Sequence, residues 1–574
     1  MMVHEQAVLS RDAKTQVEGR ASAAWITRLA APLPGAATGP LAGLRFAAKD
    51  NIDVAGVPTT AACPAFARTP DANAHVVQRL LDAGAALLGK TNLDQFACGL
   101  NGTRSPYGAV PNSFDPRYVS GGSSSGSAYV VATAQADFAL GTDTAGSGRV
   151  PAGLNNIVGI KPSRGLLSAR GVVPAAQSVD CVSIFARTVA VAARVLHAAM
   201  GFDPEDAYSR DLALATRPLP AGFRFGVPSA LNFFGDTQSE VAFERAVEQL
   251  RALGGVPVEI DYAPLANAAA LLYDSALVAE RYAAVRDFFD AHESEVVEPV
   301  RGILAQGRRY SAADFVDART QLHALGQRAA AMWSDIDVLL VPTAPAHYTI
   351  EAMQADPVAL NRNLGEYTNF VNLLDYAAIS VPASLRADGL PFGITLIGRA
   401  GSDFQLAELG QRFHHATALP LGATREPLPA MEALPVIAAP ATVQVAVVGA
   451  HLSGMPLNGQ LTERGAQRVF ATHTSSDYRL YALPGTVPPK PGLLRVAAGE
   501  GAAIEIEIWE MPLAHYGSFV ALIPAPLGIG SLVLADGRSV QGFICEPLAL
   551  AGAEDITALG GWRAYIAARN AAAT

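Results

Sequence analysis

Cysteine is scarce in this 574-residue chain: Cys63, Cys98, Cys181 and Cys545 stand far apart, with no C-x-x-C pair. That spacing excludes a disulfide framework and a thiolate zinc site, and a reducing cytoplasm is the compartment expected. Positive charge is short too. The net charge is −10, so there is no basic footprint for nucleic acid, and ordinary solubility accounts for the sign. The eleven histidines form no H-E-x-x-H or comparable cluster. No metal or other cofactor is expected, so any hydrolysis rests on a nucleophile, a base and an oxyanion hole. Long apolar runs are also missing. The most apolar late stretch, 518–535, is broken by Pro524, Pro526, Gly528 and Gly530. It predicts strand, turn and strand rather than a membrane span. Residues 1–39 mix charges and hold no apolar run of the signal-peptide kind.

Half the residues are hydrophobic and only 16% are charged, which predicts extensive burial. The length exceeds what one hydrophobic core serves, so at least two domains are expected. Segments alternate as in an α/β protein. Residues 44–48 predict a strand ending at Lys49, 73–83 a helix stopped by Gly84, and 85–88 a buried strand. Thr237-x-x-Glu240 predicts a capping box, opening a helix with Val241, Val247 and Leu250 on its apolar side. Gly254-Gly255 ends that helix, and 256–260 predicts the next strand. Residues 426–441 form a Pro/Ala-rich linker, and 443–449 resume strand character. The expected domains are 1–435, a layered sheet with helices on both faces, and 442–574, a smaller α/β domain.

Two pattern matches carry little. Gly84-x4-Gly89-Lys90-Thr91 fits a phosphate loop, but its apolar interior predicts a strand. Gly122-Ser123-Ser124-Ser125-Gly126 fits a nucleophile elbow, but no hydrophobic strand precedes it. Two Gly/Ser-rich turns remain: Gly121-Gly122-Ser123-Ser124-Ser125-Gly126-Ser127 and Gly141-Thr142-Asp143-Thr144-Ala145-Gly146-Ser147-Gly148-Arg149. Upstream lies Ala47-Ala48-Lys49-Asp50-Asn51. Singly, each turn reads as a flexible loop. A serine needs a base, and a neutral lysine can serve where burial disfavours its ammonium.

Together, in this order, the three segments resemble the signature of the amidase signature family, whose hydrolases cut amide C–N bonds. The likeness covers most of residues 40–420 and includes Gly89-Lys90-Thr91-Asn92-Leu93-Asp94-Gln95-Phe96 and Gly159-Ile160-Lys161-Pro162-Ser163-Arg164-Gly165. It implies Lys49 as base, Ser123 as relay behind a cis peptide, and Ser147 as nucleophile. The backbone N–H groups of Thr144, Ala145, Gly146 and Ser147 are expected to form the oxyanion hole. Asp143 and Arg149 read as a charge pair holding that turn.

The string Thr144-Ala145-Gly146-Ser147-Gly148-Arg149-Val150-Pro151, with Ala145 and Gly148 in place of the commoner glycine and isoleucine, looks like the allophanate hydrolase branch. In that branch Gly99, Asn101 and Gly102 belong to a pocket loop, and Tyr273 and Arg281 bind substrate. An arginine fork suits a carboxylate, and on one helix positions eight apart can rim one pocket. A packed tyrosine and a surface arginine is the alternative. His451, in Val448-Gly449-Ala450-His451-Leu452-Ser453-Gly454, marks the branch's C-terminal domain; it reads either as an anion-cradling site or as a structural histidine. That domain faintly resembles γ-glutamyl cyclotransferase-like folds. The resemblance implies hydrolysis of the small molecule allophanate, without nucleic acid or membrane partners. A homodimer is expected, associated with enzymes of urea or cyanurate breakdown. Another small-molecule amidase, of the malonamate type, and a catalytically idle assembly protein are the alternatives; a component of a tRNA-dependent amidotransferase fits the tail less well.

Overall fold

A computed structural model describes residues 21–437 and 441–572. The expectation for residues 1–39 therefore lies partly outside the described residues, as does part of the linker. Two compact units separate at 437/438.

The first unit is built on eleven strands: β1 (Trp25–Leu33), β2 (Arg45–Lys49), β3 (Ala86–Thr91), β4 (Phe138–Asp143), β5 (Val158–Lys161), β6 (Cys181–Ala186), β7 (Arg224–Pro228), β8 (Val256–Ile260), β9 (Val338–Pro342), β10 (Tyr376–Leu385) and β11 (Pro391–Arg399). They form one mixed sheet in the order β1-β3-β2-β4-β6-β5-β10-β11-β9-β7-β8. The central strands are apolar on both faces because side chains alternate along a strand. Phe46, Ala48, Phe138 and Leu140 join one core, while Ala47 and Ala139 join another. Farther along, Val338 and Leu340 face one side while Leu339 and Val341 face the other. Helices His75–Asp82, Val189–Ala199, Thr237–Ala252 and Asp403–Thr417 contribute to the first core. Helices Ala263–Asp274, Ala312–Ala330 and Asn369–Leu373 cover the other face.

Several local expectations change. The cap of helix Thr237–Ala252 is Asp236, whose carboxylate accepts from the Ser239 N–H. Thr237 is already inside the helix, so the capping box is replaced by a single aspartate cap one residue earlier. Its buried face runs through Ala242, Phe243, Ala246 and Leu250, and Val241 is exposed. The Gly84–Thr91 match to a phosphate loop lies largely in β3. The linker packs onto the first unit as far as Ile437: Leu434 and Ile437 lie against its core, and Gln411 donates to the Glu432 carbonyl at 2.8 Å.

The second unit holds β12 (Thr442–Val447), β13 (Gln467–His473), β14 (Tyr478–Ala482), β15 (Pro491–Arg495), β16 (Glu505–Pro512), β17 (Leu527–Val533), β18 (Ser539–Cys545) and β19 (Glu554–Asp555). A five-stranded sheet runs β13-β16-β12-β18-β17, and a three-stranded one β15-β14-β19. Val445, Val447, Ile506, Ile508, Leu480 and Trp562 form its core. Residues 518–535 are the end of helix Leu513–Val520, a turn and β17, not two strands. The prolines follow the helix end instead of splitting a hairpin. Among the described residues no helix is long and apolar enough to cross a membrane.

Candidate active site

β3, β2 and β4 are parallel neighbours, with Lys49 opposite Thr91 and Ala48 opposite Leu140. Their carboxyl ends therefore meet at one edge, the usual address of a site in an α/β sheet. Lys49 closes β2 there, wholly buried. Its Nζ donates to Ser123 Oγ at 2.8 Å and to Thr142 Oγ1 at 2.7 Å. Burial penalises the ammonium and brings Lys49 down from 10.5 to about 7, against the upward pull of Asp94, Asp180 and Asp143.

Ser123 follows a cis Gly122–Ser123 peptide, and its carbonyl accepts from the Asp94 N–H at 3.1 Å. Only glycine fits at 122. A Cβ there would overlap the Asp94 carboxylate and sit 2.6 Å from the Gly102 nitrogen. Ser124, the central serine of the elbow pattern, turns away and donates to the Thr142 carbonyl at 3.2 Å.

Ser147 sits in the turn leaving β4. Arg149 grips Asp143 with two hydrogen bonds of 2.9 Å, and the Gly148 N–H joins them at 2.9 Å. The same guanidinium reaches the Thr368 carbonyl and Asn372 Oδ1. On the other flank Thr144 Oγ1 donates to Asp180. Gly146 has φ +152° and backs onto the Thr368 hydroxyl, which leaves no room for a side chain. The turn is thus pinned at both ends. Among the described residues the N–H groups of Thr144, Ala145, Gly146 and Ser147 take no hydrogen bond. Ser147 Oγ donates to the Gly99 carbonyl at 3.4 Å.

Gly99 thereby joins the pocket loop to the serine. Gly102 is committed through its N–H to Asp94 and through its carbonyl to Val110. The Asn101 side chain is consumed internally. Its oxygen accepts from the Thr103 N–H and hydroxyl, and its amide donates to Asn361 at 2.8 Å.

Tyr273 and Arg281 do come together, though not along one helix. The first helix ends at Asp274, a 3-10 turn covers Ala276–Val278, and Arg281 lies in the helix Ala279–His292. The bend brings Arg281 Nη2 to 3.2 Å from the Tyr273 hydroxyl, its guanidinium carbon 5.1 Å from the ring centroid. Arg281 is 3% exposed, yet its Nε and Nη1 have no partner. Two buried N–H donors pointing at nothing are costly unless a ligand takes them.

Thr142 and Asp94 lie in strings the sequence singles out but are not marked there as functional, and Asp180 lies in none. The β2–β4 register is the signal for Thr142, since the strand pairing sets it beside Lys49. Asp94 lies within a string the family likeness covers, but its carboxylate bonds to the loop at Asn101–Arg104 are not announced by any local pattern.

In the second unit His451 is nearly buried, stacked on Phe543 at 4.9 Å and bonded through Nε2 to Gln460 Oε1 at 2.9 Å. Burial lowers its pKa. It lines a cavity of about 240 Å³ with Val448, Gly449, Gln460, Lys490 and Pro491.

An amidase family model matches residues 15–407, and an allophanate hydrolase C-terminal domain model matches 443–567. The urea amidolyase of Lachancea kluyveri is 46% identical over 543 residues, 92% of this chain. That of Saccharomyces cerevisiae is 44% identical over 542 residues, again 92% of this chain. The chain spans 30% of the length of each of these two proteins. The solved allophanate hydrolase of Kluyveromyces lactis superimposes with a TM-score of 0.70 at 44% identity, covering 92% of this chain and 88% of that one.

Proposed function

The chain belongs to the amidase family, and on that premise we propose that it hydrolyses allophanate, with Lys49, Ser123 and Ser147 as its catalytic residues. The observation that carries the substrate is the buried guanidinium of Arg281, whose Nε and Nη1 lack partners. A small amide with a carboxylate at its far end answers one of these donors and pairs with the buried guanidinium charge.

Above pH 7 Lys49 is largely neutral, so the 2.8 Å contact with Ser123 can pass a proton toward Nζ. Turning the Ser147 hydroxyl from Gly99 to Ser123 completes the relay. Ser147 Oγ attacks the terminal carbonyl of allophanate, and its proton moves through Ser123 to Lys49. The oxyanion meets the open N–H groups of residues 144–147. Collapse breaks the C–N bond, and the proton returns to the departing nitrogen, which leaves as ammonia. Water then attacks the acyl-serine by the same relay and releases N-carboxycarbamate, which takes up protons and loses two molecules of carbon dioxide in turn to yield a second ammonia. No cofactor enters this scheme.

Residues 1–435 are assigned to this chemistry and 442–574 to assembly or to the decarboxylating step. The His451–Lys490 cavity supports the second role, because a cation beside a poorly hydrated imidazole suits a small dianion. We place the protein in the cytoplasm as a homodimer, associated with the enzymes of urea or cyanurate breakdown that produce allophanate.

The deciding experiment measures ammonia release over allophanate, malonamate and neutral amides. The proposal expects the highest kcat/KM on allophanate. Malonamate well above it would give the malonamate-type reading. Absence of turnover, together with absence of an adduct from a serine-directed acylating probe, would give the idle assembly protein.

A further inference from the structure

Lys49 has a difficulty that its direct partners do not resolve. When it receives the serine proton, an ammonium forms where no water reaches it, and such a charge is expensive unless compensated. Ser123 and Thr142 offer hydroxyl dipoles only. Four aspartates surround the lysine, and most are already spent. Asp143 is neutralised by Arg149, with two bonds of 2.9 Å. Asp50 faces Lys90 at 3.4 Å and also takes the Thr60 hydroxyl and N–H. Asp180 accepts from the Thr144 hydroxyl and the Ala175 and Ala176 N–H groups, and it shares its field with Arg281.

Asp94 is different. It is wholly buried, and among the described residues no cationic side chain pairs with it. Its oxygens accept only backbone N–H groups: Asn101 at 3.2 Å, Gly102 at 3.1 Å and Arg104 at 3.0 Å. It is wedged between two glycines, since a Cβ at Gly99 or Gly122 would run into the carboxylate. One of those glycines offers its carbonyl to Ser147, and the other precedes Ser123. The Asp94 N–H holds the Ser123 carbonyl as well. A single residue therefore touches the relay turn, the pocket loop and the surroundings of the nucleophile, with its charge left unneutralised.

We infer that Asp94 is a positioning residue that serves Lys49 through space: its uncompensated charge stabilises the lysine in its proton-carrying state, while its three backbone bonds fix the pocket loop against the relay turn. Burial alone would leave Lys49 a weak base. Asp94 is the first of the carboxylates that draw it back to about 7, where a base works best near neutral pH. This rests on the reading of Lys49 as base.

The test is the pH profile of kcat/KM for ammonia release from allophanate by the full chain, in wild type, Asp94→Asn and Asp94→Ser. Serine can still meet part of the loop, and it is the variant to read should asparagine fail to fold. Thermal melts establish folding. The expected result is an acid limb displaced to lower pH by roughly one unit in the uncharged variants, with a lower plateau. Asp94→Glu, which keeps the charge, should hold the limb near its wild-type position while KM rises. A folded uncharged variant that loses activity equally at every pH, with its limb unmoved, would overturn the inference and leave Asp94 a purely structural residue. A wild-type profile with no acid limb would instead overturn the base reading of Lys49, so the two failures are distinguishable.

Discussion

Replacing Arg281 by alanine isolates substrate recognition from bond cleavage. The guanidinium already holds Tyr273 with Nη2 and stacks on its ring, while Nε and Nη1 are buried and unanswered. These two donors diverge, so a carboxylate accepts from one of them and gains a charge-assisted hydrogen bond of roughly 1.5–3 kcal/mol. The loss on truncation is then about 1.5–3 kcal/mol, or roughly 10- to 100-fold in kcat/KM for allophanate. Biuret, in which a neutral amide replaces the carboxylate, supplies the comparison. Whatever biuret turnover the wild type shows should change by less than about threefold, because biuret does not pair with the charge. Arg281→Lys should recover only part of the loss, since an ammonium cannot reproduce the planar fork. Ammonia release assayed on both substrates across the three proteins decides. Equal losses on allophanate and biuret would mean that Arg281 merely holds the bend between Asp274 and Ala279. Full allophanate activity in Arg281→Ala would mean that another group reads the carboxylate.

The two serine turns separate cleanly. Ser147→Ala should form no adduct with an acylating probe, whereas Ser124→Ala, which loses only its two bonds to the Thr142 backbone, should still acylate; the reverse result would restore the elbow reading. Wild-type kcat/KM should rise with pH through about 7 and then level, because Lys49 is protonated below that value. The same burial fixes a sign for stability. The cost of burying Lys49 is full below about pH 7 and fades by its ordinary 10.5, so Lys49→Met should raise the melting temperature most at or below neutral pH. A chain ending at Ala441 should stay folded and release the first ammonia, with Leu434 and Ile437 still packed on their own unit. Intermediate building up there, and in full-length His451→Ala, would make the tail a second catalyst. Both steps running while light scattering shows a smaller particle would make it an assembly module, and a soluble chain releasing no ammonia would show that the tail completes the site.

What the sequence discloses and what it hides divide along the range of the interactions. The strand ending at Lys49 is visible because burial imposes local composition, whereas the strand of residues 256–260, at the sheet edge and largely part-exposed, is visible from its β-branched residues and the Gly254-Gly255 stop before it. The Gly/Ser turns are visible because backbone that must approach Asp94 or Thr368 tolerates no side chain, and glycine records that demand directly. The helix cap falls at Asp236, one residue before the Thr237 expected, because Asp and Thr are both good caps and helix geometry, not residue type, chooses between them. The Tyr273–Arg281 contact is readable as a pair but not as a shape. An eight-residue spacing suits a continuous helix, and nothing local announces the turn at Ala276–Val278 that brings the two side chains together.

The residues hardest to read are those whose partners are backbone atoms brought in by the fold. Asp94 lies in the Gly89–Phe96 string of the family likeness without being marked there as functional, and its three acceptor bonds go to a loop 7 to 10 residues on. The Asn101 amide looks equally available in the sequence, and the fold spends it on Asn361, 260 residues away. Charge that is neutralised and charge that is left over look the same on paper: Asp50, Asp94, Asp143 and Asp180 differ only in what the fold sets opposite them. Of the four, Asp94 alone meets neither a cation nor a side-chain hydroxyl, and that is the difference on which its inferred service to Lys49 turns.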